Sequence, residues 1–462
     1  MLGEFPQHVS SVEAYGMQRE MSLHAEPDAA GDPETSRSAP VFDAYAISGD
    51  LDADALHRAV ELVLAGADVL LGRLTGRGPR ARFVRTARAA GVPVTRADLR
   101  GCPEHARENR LGYLLHHAWT GFRDLQNGPL ASAVLVRLAE HEHVLAVTFD
   151  HTVSDHTSLV GAYRLISATY DRLTEGAAAD AGRIARSPSF FEFARAAEDD
   201  GEGRANAAAF WREAARVPPA TFDFPGGKFR PWRDRTAVAS PGKQLAEREL
   251  RELSSACARL ETTPSHVFLA AITLVAAGVT ETPFAPVGYL RGGRPISRAP
   301  VFGPLWETVA TCDVPEAHHK SLGEWARAFA ARNMAAPPLR GLALVDFVDL
   351  DSAVELRRLS LNTLRPTGTV PSARLRWKLL ELHHIPEPPA HPVRGNRRNV
   401  QAHLALHENG VYVSLRHDPG DLPDGGRYLA ALSHAVHLIA DEPDVERARA
   451  AARVARKLEV GP

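Results

Sequence analysis

Imidazoles are the side chains best suited to moving a proton near neutral pH, and this chain carries 21 histidines. A histidine four residues ahead of an aspartate can present its ring to a cleft while the carboxylate turns back and anchors the loop. That spacing occurs at His24/Asp28, His151/Asp155, His417/Asp421 and His437/Asp441. The first lies in a polar leader, the third in a turn rich in proline and glycine, and the fourth at the end of a helix. Only His151 follows an apolar strand and directly precedes a helix, within FDHTVSDHTSL. Such a placement fixes the backbone and lets a side chain point at a substrate. The plainer alternative is a loop histidine whose hydrogen bonds are simply satisfied.

The elements that must position this loop follow from apolar spacing. Ala131 to Leu138 and His143 to Phe149 are apolar strands joined by the polar turn Ala139 to Glu142. The helix after them, about Thr157 to Leu173, sets Leu159, Val160, Tyr163, Ile166, Tyr170 and Leu173 at helical spacing. Earlier, Val41 to Ser48 alternates as a strand, and Asp52 opens a helix with Leu56, Ala59, Val60 and Val63 on one face. Residues 25 to 40 read as a loop before the first regular element. From Gly176 to Gly242 the chain alternates between helical stretches and an irregular one, FPGGKFRPWRDR, read as extended. The second half predicts helices over Leu245 to Leu260 and from Pro264, and a strand at Phe284 to Leu290. Strands at Val400 to His407 and Val411 to Arg416 follow, with Gly426 to Ala440 as the final helix. Two proline-rich stretches, Arg365 to Pro371 and Ile385 to Pro392, read as surface loops or a crossover. With 462 residues, two lobes are expected, 1–215 carrying the H-x-x-x-D motif and 216–462.

Composition narrows the chemistry. Apolar residues make up 44% and charged residues 24%, and no apolar run reaches the roughly 18 residues of a membrane span. No secretory signal is recognisable at the N-terminus, so a soluble, cytoplasmic protein is expected. The net charge of −2 offers no electrostatic footprint for nucleic acid or an anionic membrane. Cys102, Cys257 and Cys312 are odd in number and far apart, which predicts reduced thiols. The adjacent pairs His116-His117, His318-His319 and His383-His384 lack an evident third ligand, so no metal is expected. There is no Walker A loop, Rossmann glycine fingerprint or G-x-S-x-G elbow.

The stretch GPLASAVLVRLAEHEHVLAVTFDHTVSDHTSLVGAYRLISATYD resembles the core of nonribosomal peptide condensation domains and related acyltransferases, whose signature H-H-x-x-x-D-G follows the same strand. Further blocks agree in order: GDLDADAL, GFRDLQNGPL, FWREAAR, VGYLRGGRPISRAPVFGPLWETVATCDV and the C-terminal strand pair, helix and ADEPDV. The likeness runs from about residue 41 to 447. It implies an α/β fold of two chloramphenicol-acetyltransferase-like lobes in a V-shaped pseudo-dimer with a tunnel between them. It also implies that His151 is the functional histidine and Asp155 the structural aspartate, with Arg294 its candidate partner. Trp306 and Thr308 lie in the stretch that matches the tunnel floor, where such residues more often serve packing than recognition.

Three departures stand out. Asp150 replaces the first signature histidine, His156 replaces the final glycine, and ADVLLGR replaces the family's H-x-x-L-R-T. Asp150 could hold a cationic acceptor or form a loop hydrogen bond, and His156 adds an imidazole beside the channel. A thioester is already activated, so the enzyme must chiefly deliver a nucleophile, direct a proton and stabilise an oxyanion. The resemblance implies a free-standing condensation enzyme of natural-product biosynthesis. It would join an acyl group on the phosphopantetheine of an acyl or peptidyl carrier protein to a separate small-molecule amine or alcohol, with no cofactor of its own. The rival expectations are an acyl-CoA-dependent acyltransferase and a catalytically silent relative that recruits another enzyme.

Overall fold

The computed structural model describes residues 11–24, 40–86, 92–120, 129–216, 223–228, 239–280, 282–294, 300–365, 368–380, 400–407 and 410–459. Strands and helices are numbered along the chain. The first sheet has the order β12 (Arg376–Leu379), β2 (Pro40–Ser48), β7 (Glu142–Asp150), β6 (Ala131–Ala139), β5 (Val94–Asp98). Its strands are two-faced because successive side chains point to opposite sides. Phe42 and Ala44 of β2 with Val144 and Ala146 of β7 meet α3 (Glu104–Thr120), which brings Leu115 and Ala118. Tyr45, Ile47, Leu145, Val147 and Phe149 meet α2 (Ala53–Ala65) and α4 (His156–Thr174) on the other face. Asp52 starts α2 by accepting from the backbone N–H groups of Asp54 and Ala55, each at 2.9 Å.

The second sheet has the order β10 (Trp306–Ala310), β9 (Val287–Gly292), β11 (Leu359–Leu364), β13 (Val400–His407), β14 (Gly410–Arg416), β8 (Gly242–Gln244), with β11 parallel to both of its neighbours. A layer of α8 (Glu247–Leu260), α9 (Pro264–Thr280), α12 (Gly425–Asp441) and α13 (Arg447–Glu459) covers it. The run Val267 to Ala277 of α9 is buried throughout, as an all-apolar helix must be. A small third sheet, β1 (Ser11–Glu13), β4 (Arg82–Arg85) and β3 (Gly72–Thr75), lies beside α1 (Met17–His24). The chain passes between lobes through α5 (Ala178–Ile184), α6 (Phe190–Asp199) and α7 (Gly201–Ala214), and α10 (Leu322–Ala335) and α11 (Leu350–Glu355) complete the second lobe. Among the described residues no single helix is long and apolar enough to cross a membrane.

Several expectations need correction. Regular structure begins before residue 25, with β1 and α1. Gly426 to Ala440 is not the final helix, because α13 follows and buries Ala450, Val454 and Leu458. The strand expected from Phe284 begins at Val287, after Pro283 and Pro286, which cannot donate to a ladder. A cut at 215/216 does not separate the two cores. Ala207 and Trp211 of α7 pack into the second, while Phe302, Leu305, Val370, Leu375 and Trp377 pack into the first. The segment between the two proline-rich stretches supplies β12, antiparallel to β2 with Trp377 opposite Ile47. The stretches 381–399 and 229–238 lie outside the described residues, as does most of GFRDLQNGPL.

Candidate active site on the loop between β7 and α4

Strand β7 ends at Asp150 and α4 begins at His156, so His151 rides on a short loop held at both ends. Asp150 is 1% exposed. Its Oδ1 accepts from the backbone N–H of Thr152 at 2.8 Å and from the Thr152 hydroxyl, while Ser154 Oγ donates to its carbonyl at 3.1 Å. This is the loop-bonding role: the carboxylate folds onto its own turn. The His151 ring is partly buried, and its Nδ1 lies 3.0 Å from the Ser154 carbonyl. A carbonyl can only accept, so Nδ1 carries the proton and Nε2 is the basic nitrogen of the neutral ring.

Asp155 caps α4. Its Oδ1 accepts from the Ser158 N–H at 2.7 Å, and the Ser158 side chain completes a capping box. Its Oδ2 accepts from Arg294 Nη1. The Arg294 Nη2 group donates to Ser158 Oγ at 2.8 Å and lies 3.1 Å and 3.2 Å from the carbonyl oxygens of Val301 and Gly303. Arg294 follows β9, so a second-lobe guanidinium is locked onto the first turn of the helix behind His151. Planar, multiply donating guanidinium suits this clamp, which a lysine could not reproduce. The approach is tight: a Cβ on Gly303, whose φ is +149°, would meet Phe190 at 2.7 Å, and one on Gly161 would meet Val301 at 2.5 Å.

The remaining candidates divide. Trp306 stands beside His151, with ring centroids 5.1 Å apart, so the start of β10 reaches the loop from the second lobe. Thr308 is 5% exposed and donates its hydroxyl to Met17 Sδ at 2.9 Å, which places it under α1. His156, the first residue of α4, has Nδ1 3.9 Å from Asp43 Oδ2. Burial raises the Asp43 carboxyl to about 6, opposed by the charge of His156. Both Asp43 Oδ2 and His156 Nε2 are buried without a hydrogen-bond partner among the described residues.

Sequence reasoning missed Gln18. It is wholly buried on α1, accepts from the Tyr15 N–H at 2.8 Å and donates to the Thr152 carbonyl at 2.7 Å. The neighbouring Arg19 forks onto both oxygens of Asp346 at 2.8 Å, and Glu20 pairs with Arg357. Thus α1 braces the His151 loop on one side and the second lobe on the other. The polar run MQRE carries no local signal of burial, because Thr152, Asp346 and Arg357, which receive it, lie more than a hundred residues away.

Two sheets of similar build, with an imidazole-bearing loop clamped from the opposite lobe, define a two-lobed condensation-type fold. The chain is similar to SgcC5 from Streptomyces globisporus, with 17% identity and a TM-score of 0.70 over 94% of this chain and 100% of that one. It is also similar to the X-domain from teicoplanin biosynthesis, with 17% identity and a TM-score of 0.68 over 96% of this chain and 98% of that one. In sequence, the model of the Condensation domain family matches residues 38–301, more than half of the chain, and the protein belongs to that family. Phosphinothricin tripeptide synthetase PhsC of Streptomyces viridochromogenes is 29% identical over 187 residues, 40% of this chain. Chondramide synthase cmdD of Chondromyces crocatus is 32% identical over 127 residues, 27% of this chain. The matches span only 17% and 3% of those synthetases.

Proposed function

We propose that this protein is an acyltransferase of natural-product biosynthesis that forms an amide or ester bond. The donor is an acyl thioester on the phosphopantetheine of a carrier protein, and the acceptor is a separate amine or alcohol. The observation that carries this reading is the His151 ring itself: partly exposed, oriented through Nδ1 by Ser154 and braced by Trp306 across the lobe boundary. Its Nε2 would take the proton of an attacking hydroxyl, or orient a neutral amine, as the thioester carbon becomes tetrahedral. The proton then passes to the departing phosphopantetheine thiolate. Retention of the Asp155–Arg294 clamp supports the same reading, since it holds the loop in one arrangement. The protein supplies no cofactor in this scheme, and the partners are a loaded carrier and a small acceptor.

Intact-mass spectrometry of loaded carrier proteins, with amine and alcohol acceptors and wild-type and His151→Ala protein in parallel, tests it. Product should form with wild type and fall by about 10²- to 10⁴-fold in the variant, the range for a positioned general base. Turnover with acyl-CoA alone would replace the carrier protein as donor. Equal activity in His151→Ala, or none with any donor alongside capture of a partner enzyme, would replace catalysis by recruitment.

A further inference from the structure

The His437/Asp441 pair has no part in the site above, yet its spacing has a consequence on a helix. Residues four apart on α12 share a face, and this face packs against α8, from which Glu252 projects. The His437 Nδ1 atom lies 3.2 Å from Glu252 Oε1 and 3.0 Å from Asp441 Oδ2. One donor atom from each residue, three in all, falls within 4.8 Å of the others. Bonds of about 2.0–2.1 Å to a zinc-type ion separate tetrahedral ligand atoms by about 3.3 Å. Two of the three separations are therefore already close to that of ligands around one ion.

The surroundings favour a small cation. Glu252 is only 9% exposed, and a surface depression lined by Arg248, Arg251, Glu252, Ser255 and Asp441 opens the cluster to solvent. One turn earlier on α12, His434 stacks on His437 with centroids 6.1 Å apart. The competing cation is Arg248, whose Nε donates to Glu252 Oε1 at 2.7 Å. Its side chain is 71% exposed, so the guanidinium can swing into solvent when an ion takes its place at Glu252.

We propose that Glu252, His437 and Asp441 bind a divalent transition-metal ion of the zinc class, with water in the fourth position, pinning α8 to α12 apart from the catalytic loop. The rival occupant is a proton: a charged imidazole bridging two carboxylates gives similar distances. Purified full-length protein, stripped with chelator and titrated with cobalt(II) and zinc(II), separates the two. Expected are one ion per chain by calorimetry, cobalt(II) visible bands of a low-coordinate site, and a higher thermal midpoint with zinc(II). The variants His437→Ala and the more exposed Asp441→Asn should each weaken binding tenfold or more, with circular dichroism reporting that the fold persists. Arg248→Ala should tighten binding severalfold, an effect that a purely ionic bridge does not predict. No saturable binding, or binding unchanged in both His437→Ala and Asp441→Asn, would overturn the proposal.

Discussion

Asp43 sits beneath the first turn of α4, and its carboxylate loses water without gaining a hydrogen bond at Oδ2 from any of the described residues. Burial lifts its pKa from an ordinary 3.8 to about 6. Between these values the folded protein binds a proton that the unfolded chain releases, so this group makes stability fall as pH rises from roughly 4 to 6. The displacement corresponds to at most about 3 kcal/mol. Asp43→Asn should flatten that part of the profile and raise stability at pH 7, measured as urea midpoints at several pH values; an unchanged slope would refute the assignment. At this scale the sequence singles out His151 by its strand and helix context alone. The role of Asp150 remained open between recognition and loop bonding, and only the Thr152 contacts favour the loop. Gln18 could not be read at all, since its value to the loop depends on Thr152 lying against it.

Helix α4 owes its starting point to Asp155 and Ser158, and its tie to the second lobe to Arg294. Removing the guanidinium leaves Asp155 buried without its charge partner, a loss of about 3 kcal/mol by the usual behaviour of such pairs. Arg294→Ala should therefore lower the denaturant midpoint, and Arg294→Lys should recover only part of it, because one ammonium cannot serve Asp155, Ser158 and two carbonyls together. Full recovery by lysine would show that charge alone matters. Periodicity located β2, β6, β7 and α4 because their apolar faces repeat every two or about four residues. It passed over α13, where the apolar stripe is built from Ala450, Ala451, Val454 and Leu458 among arginines. The stripe was present, but alanine and valine among so many charges give it little contrast.

Across the whole molecule, α1 and β12 tie the lobes together from opposite ends of the chain. Gln18 tests the first tie. In Gln18→Leu the Thr152 carbonyl and the Tyr15 N–H both lose a partner, at about 1–3 kcal/mol for each group left buried. With the reaction proposed above, kcat should fall about tenfold while KM holds, assayed well below the melting midpoint; an unchanged kcat would leave Gln18 a purely structural brace. Two lobes were legible from length and repeated units, whereas the exchange of segments was not. Nothing in the local pattern of Arg376 to Leu379 says which sheet will accept it, because any open strand edge offers the same backbone groups.

That late strand also bears on how the protein is made. Pro40 to Ser48 leaves the ribosome early, yet its outer neighbour is translated more than three hundred residues afterwards. Until then the nascent first lobe presents an unpaired edge to whatever meets it. Truncated chains ending before Arg376 should consequently be chaperone clients.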